Sequence, residues 1–194
     1  MYRYFKRFLD IVLSAAGLLV LSPILLIIAV AIKLDSKGPV LFKQKRVAKG
    51  KEHFQILKFR TMYADVPKDV PTHLLADPET KITKIGRFLR KSSLAELPQI
   101  WNILVGEMSI IGPRPALWNQ FDLIAERDKY GANDVRPGLT GLAQVMGRDE
   151  LPIEVKAKYD CEYAQNVTFA NDVKIFFKTI TSVLGAKGVK EGKQ

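Results

Sequence analysis

Three short stretches concentrate arginine with glycine and proline: GRFLRKSSLAELPQ at 86–99, GPRP at 112–115 and RPGLTG at 136–141. Glycine and proline fix backbone turns, and each of these turns presents an arginine: Arg90, Arg114 and Arg136. Three guanidinium forks on rigid turns suit a polyanion such as a diphosphate, because the fork matches phosphate oxygens. For any one of them the competing role is a cap or bridge between helices. Ser93 and Glu96 stand three apart, so they read either as a capping box or as a helix N-terminus with its carboxylate near a bound cation.

Other chemistries lose support. Glycine-rich phosphate loops of the GxxxxGK[ST] or GxGxxG type are absent. One cysteine, Cys161, allows no intramolecular disulfide and no cysteine-based zinc site. His53 and His73, far apart in the chain, make neither a histidine-rich metal site nor a Ser-His-Asp arrangement. A hard cation here would sit on carboxylates and phosphates.

The elements that must position these groups follow from charge and hydropathy. The chain has 194 residues, 47% of them apolar and 26% charged, enough for one folded domain. Its 30 Lys+Arg against 20 Asp+Glu give a net charge of +10, which calls for an acidic partner: nucleic acid, anionic lipid or a phosphorylated substrate. A mean hydropathy of +0.01 conceals a sharp division. Residues 11–32, IVLSAAGLLVLSPILLIIAVAI, hold no charge, whereas 43–60 hold seven basic groups against Glu52 alone. A nucleic-acid binder leaves that apolar segment unexplained, so no nucleic acid is expected.

As a helix the 22-residue segment would measure roughly 33 Å, enough to cross a bilayer core. No small-residue cleavage site follows it, which disfavours a signal peptide. A plain span competes with a re-entrant helix. Two features favour re-entry: Ser22-Pro23 interrupts the middle of the run, and both flanks are basic, with Arg3, Lys6 and Arg7 before it and Lys33 and Lys37 after. The expected fold is therefore mainly α with a small β-hairpin. A membrane helix broken at Ser22-Pro23 over 1–36 precedes a compact cytoplasmic unit over 37–185 and a tail over 186–194.

The hairpin is expected over Pro39–Met62, turning at Lys49-Gly50-Lys51, and a loop or lid over Tyr63–Thr80. Helices are expected near Ser93–Leu104, Ala116–Tyr130, Pro152–Asn166 and Ala170–Leu184. The last aligns Val173, Phe176, Phe177 and Ile180 on one stripe, which faces either a core or a membrane interface.

Several motifs, in order along nearly the whole chain, resemble the bacterial sugar transferase family, the monotopic polyprenyl-phosphate phosphoglycosyl transferases. They are Phe8-Leu9-Asp10 leading to Leu21-Ser22-Pro23, Lys58-Phe59-Arg60-Thr61-Met62, SSLAELPQIWN, GPRP, VRPGLTGLAQV, and Tyr159-Asp160 with Asp172-Val173-Lys174-Ile175. The resemblance implies transfer of a sugar-1-phosphate from a UDP-sugar to undecaprenyl phosphate. UMP leaves, Mg²⁺ is required, and an aspartate forms a covalent phospho-sugar intermediate. It implies a re-entrant helix bent at Ser22-Pro23, amphipathic interfacial helices, and a place on the cytoplasmic face of the bacterial inner membrane. The lipid product would pass to downstream glycosyltransferases. Long members carry extra membrane spans and a further domain before this unit, so the chain resembles the minimal form.

Carried onto this sequence, the resemblance assigns substrate phosphates to Lys58, Arg60, Arg90, Arg114, Arg136 and Arg148, with Gln144 and Asp160 as further site residues. It also marks a departure. Where the family pattern reads S-L-D-E-L-P-Q, this chain has Ala95 before Glu96. Alanine can neither attack phosphorus nor ligate a metal, so the metal site expected at position 95 lacks its aspartate. The chain is expected to be an inactivated variant, with the alternative of a membrane-tethered module that binds polyprenyl or anionic lipid phosphates without chemistry. Met146 departs likewise, where asparagine is expected.

Overall fold

A computed structural model describes residues 2–67, 77–147 and 151–184. Arg148, the centre of the 63–80 loop and the 186–194 tail lie outside the described residues. The chain is mainly helical, with two small sheets.

Helix α1 (Tyr2–Asp35) is 34 residues long and apolar enough to cross a membrane. It runs through Ser22-Pro23 without interruption, which corrects the expected break. The reason is local. Pro23 has no N–H for the Leu19 carbonyl one turn earlier, and the Ser22 hydroxyl donates to that carbonyl instead, at 2.8 Å. Most of the helix is uncovered, with Leu19 77%, Val20 72% and Ile27 68% exposed. Its two ends are nevertheless fastened to the same body. Near the start, Asp10 accepts the Ile110 N–H at 3.0 Å and Arg7 donates to the Ile103 and Leu104 carbonyls. Near the end, Ile28 and Ile32 enter a core with Phe59 and Leu89, and Asp35 accepts the Ile85 N–H at 3.2 Å.

The predicted hairpin is present: β1 (Leu41–Val47) pairs antiparallel with β2 (His53–Phe59) around a tight turn at Lys49–Lys51, with Gly50 at φ +68°. Helix α2 (Lys84–Lys91) was not anticipated; Thr83 caps it, its hydroxyl accepting the Gly86 N–H at 2.9 Å. A 3₁₀ turn over Leu94–Glu96 leads into α3 (Gln99–Val105), so the expected single helix over 93–104 is two pieces. Asn102, buried on α3, accepts the Leu57 N–H and donates to the Gln55 carbonyl, which pins α3 against β2.

A second, parallel pair joins β3 (Ser109–Ile111) to β4 (Gly138–Thr140). Here the GPRP and RPGLTG turns meet backbone to backbone. A Cβ at Gly141 would stand 2.0 Å from the Gly112 carbonyl oxygen, and one at Gly138 2.1 Å from the Gly112 nitrogen, so glycine is required by close approach. Helices α4 (Phe121–Asp128), α5 (Leu142–Met146), α6 (Ile153–Gln165) and α7 (Phe169–Leu184) complete the body. On α7 the predicted stripe is exposed at Phe176 and Phe177, while Ile175 is buried in the core.

Candidate active site

β2 and the 94–96 turn bring together groups distant in sequence. Lys58, on β2, donates to Glu96 Oε1 at 2.9 Å, and Arg114, on the GPRP turn, donates to the same oxygen at 3.1 Å. Arg46, on β1, holds the Pro115 carbonyl at 2.9 Å. Two cations thus share one carboxylate, and a third, Arg46, adds its charge beside Lys58.

The electrostatics follow. Burial pushes the Lys58 ammonium down to about 8, with Arg114 and Arg46 acting in the same direction and Glu96 opposing them. Burial would raise the Glu96 carboxyl, but the Lys58 and Arg114 charges outweigh it and hold that carboxyl well below the usual carboxylate range. Glu96 is therefore ionised, and the surplus positive charge is available to an anion.

Ala95 sits between this charge cluster and the apolar helix. Its side chain is buried with Ile28 and Ile32 of α1, Phe59 and Leu89. Ser93, at φ +59°, makes no side-chain cap, so the capping-box reading of Ser93 and Glu96 does not hold. Beside the site Gln99 is buried, and its Nε2 has no hydrogen-bond partner among the described residues.

The remaining candidates are placed variously. Arg90 donates to the Thr61 hydroxyl at 3.0 Å from the end of α2, which packs on the 94–96 turn. Arg60 is buried, and its guanidinium serves the fold, donating to the Pro39 carbonyl and to both the hydroxyl and carbonyl of Ser36. Arg136 donates to the Gly106 carbonyl and lies beside Arg7, away from Glu96. Asp160 is fully buried against Arg127, which it accepts from at 2.9 and 2.5 Å. Arg127 also holds the Arg114 carbonyl at 3.0 Å, so Asp160 positions the GPRP turn through Arg127. Gln144, on α5, donates to the Leu139 carbonyl of β4. Sequence reasoning missed Arg46 and Arg127; no motif marks either one.

The residues present do not fit a Mg²⁺ site unaided. Among the described residues no three His, Cys, Asp or Glu side chains cluster, and the single carboxylate here already carries two cations on one oxygen.

Comparison with known proteins places the chain in a family. The chain is 38% identical, over 97% of its length, to an Aeromonas hydrophila protein named UDP-N-acetylgalactosamine-undecaprenyl-phosphate N-acetylgalactosaminephosphotransferase, of which it covers 46%. It is 42% identical to a Caulobacter vibrioides UDP-glucose:undecaprenyl-phosphate glucose-1-phosphate transferase, covering 92% of this chain and 69% of that protein. A Bacillus subtilis protein named an uncharacterized sugar transferase is 37% identical over 96% of this chain and 90% of its own length. The chain thus spans less than half of some relatives and nearly all of others. The bacterial sugar transferase model matches residues 1–186, and the chain belongs to that family.

Proposed function

We propose that this fold transfers a sugar-1-phosphate from a UDP-sugar to undecaprenyl phosphate at a membrane surface, releasing UMP. The observation that carries the reading is the position of Ala95. It lies where the apolar α1 meets the Lys58–Glu96–Arg114 group, the place at which a lipid tail and a phosphate would arrive together. Lys58, Arg114 and Arg46 would bind the diphosphate and balance charge as the bridging oxygen leaves.

In this reading an aspartate at position 95 attacks the phosphorus bonded to the sugar. The P–O bond to UMP breaks, and an acyl-phosphate to the sugar phosphate forms. The phosphate oxygen of undecaprenyl phosphate then attacks that phosphorus, giving the polyprenyl-diphospho-sugar and freeing the carboxylate. Ala95 removes the first step. Glu96 cannot replace it, because Lys58 and Arg114 hold its carboxylate. The chain as written therefore binds substrates without turnover. A second carboxylate at position 95, with substrate phosphates, would complete a set of hard oxygen donors for Mg²⁺.

We also propose that α1 keeps both ends on one side of the membrane, the cytoplasmic face of the inner membrane, with its exposed apolar face in the lipid. Asp10 and Asp35 are bound to the same body, whereas a span would carry them to opposite faces. The exposed Phe176, Phe177 and Ile180 of α7 would lie in the interface. The deciding experiment offers a panel of UDP-sugars, with undecaprenyl phosphate and Mg²⁺, to the chain and to Ala95→Asp. UMP release and a phospho-sugar adduct in Ala95→Asp alone are the expected result. Comparable turnover by the Ala95 chain would refute the assignment of the nucleophile.

A further inference from the structure

A second basic site lies at the N-terminal end of α1 and shares no lining residue with the Glu96 group. It is a small cavity bordered by Arg3, Lys6, Arg7, Lys49 and Arg136, with Ser109 in its wall. Ser109 is only 1% exposed, and its buried hydroxyl has no hydrogen-bond partner among the described residues. A buried orphan hydroxyl destabilises a fold unless something in the cavity satisfies it.

The charges point to what that is. Lys6 is neutralised by Asp172 at 2.7 Å. Arg3 and Lys49 are exposed and form no ion pair among the described residues. Arg136 uses Nε on the Gly106 carbonyl, which leaves the two terminal nitrogens of its fork. Burial lowers the Arg7 guanidinium, and the Arg136 charge beside it adds to that, a repulsion an anion would relieve. Two carboxylates, Asp10 and Asp134, also line the cavity, and Asp10 is occupied by the Ile110 N–H. Four cations (Arg3, Arg7, Lys49, Arg136) against two carboxylates leave a surplus of two charges, close to that of a phosphate monoester.

We propose that this cavity binds a phosphate group, with Ser109 donating its hydroxyl to a phosphate oxygen and Arg3, Lys49 and Arg136 supplying the countercharge. Tyr2, Phe5 and Phe169 meet at tilted and edge-on angles on the neighbouring surface, at the depth of a headgroup region if α1 lies in a membrane as proposed above. The phosphate is therefore either that of a lipid headgroup or a free ion, and the two are separable.

The test uses the full chain in uncharged detergent micelles and reads thermal unfolding. Inorganic phosphate is compared with chloride at equal ionic strength, and phosphatidic acid with diacylglycerol, which lacks the phosphate. The chain should gain melting temperature with a phosphate source. R3Q/K49Q and S109A should need about tenfold more of it for the same gain. Both variants should fold, because Arg3 and Lys49 are exposed; S109A without phosphate should melt no lower than the parent, since it loses an orphan hydroxyl. A gain with phosphatidic acid alone assigns the lipid source, and one with inorganic phosphate assigns the free ion. The inorganic arm needs no membrane, so it fails independently of the topology and of the transfer reaction. No gain from either source, or an equal gain in the variants, overturns the site.

Discussion

Replacing Glu96 with glutamine keeps the shape of the side chain and removes its charge, so it isolates what the carboxylate does for Lys58 and Arg114. Two donors share Oε1, at 2.9 and 3.1 Å. The Lys58 pair is the better shielded, with side-chain exposures of 19% and 27%, and a charged hydrogen bond of that kind contributes about 2 kcal/mol. The Arg114 side chain is 41% exposed and solvent-screened, and adds about 0.5 kcal/mol. Glu96→Gln should therefore lower the unfolding free energy in urea at pH 7 by about 2–3 kcal/mol. A cycle with Lys58→Met should return a coupling of about 1–2 kcal/mol. The pH dependence has a definite sign. Glu96 has its carboxyl pKa depressed in the folded state, so its contribution is complete above the ordinary value of 4.5 and is lost as pH falls through the lower folded value. The gap between parent and Glu96→Gln should close on acidification below about 4. A neutral Glu96→Gln, or a gap that stays constant from neutral pH into strong acid, would refute the ionised triad.

Three further outcomes follow from other groups. Lys58 loses its proton as pH rises through about 8, so UDP-sugar binding, measured by calorimetry, should weaken several-fold above that pH, while Lys58→Arg should hold its affinity to pH 9.5. Arg60→Met leaves three Ser36 and Pro39 acceptors without their donor, and should lower stability by about 3 kcal/mol in urea without changing UDP-sugar affinity at temperatures where the variant stays folded. Cysteines placed at positions 3 and 37 should be equally protected from an impermeant maleimide in intact cells, and opposite reactivity would show that α1 spans the membrane.

Much of the fold was legible because its periods are strong. The hairpin showed in β-branched and aromatic runs around Lys49-Gly50-Lys51, and it formed with its ends inside the predicted range. The parallel pair of β3 and β4 was not legible, since three residues per strand carry no period, and the glycines that mark it report backbone contact across 138 and 112 and not strand propensity. Helix α2 was missed because its basic, weakly apolar sequence resembles a loop, although Thr83 before it is a usable cap signal. Pro23 misled in the other direction: a proline mid-helix reads as a break, but a serine immediately before it can satisfy the carbonyl that the proline leaves.

For the site, residue type located arginines but not their roles, because a guanidinium does whatever its nearest acceptors require. Arg60 and Arg114 come from equally arginine-marked motifs. The fold gives Arg60 the carbonyls where α1 turns into β1 and gives Arg114 the Glu96 carboxylate. Arg46 and Arg127 act on Pro115 and Asp160, 69 and 33 residues away, and only the folded chain can supply those partners. Position 95 combines both kinds of information. The family resemblance leads one to expect a carboxylate there, while the fold adds that the alanine is buried against Ile28 and Ile32, one residue from an ionised glutamate. An aspartate introduced at 95 would have an apolar helix on one side and a surplus of cations on the other. The cations would keep it ionised and the apolar side would leave it poorly hydrated, the state in which a carboxylate is most nucleophilic. Under the proposed reaction, the charge cluster and α1 would thus give an aspartate at 95 the surroundings that a covalent step needs.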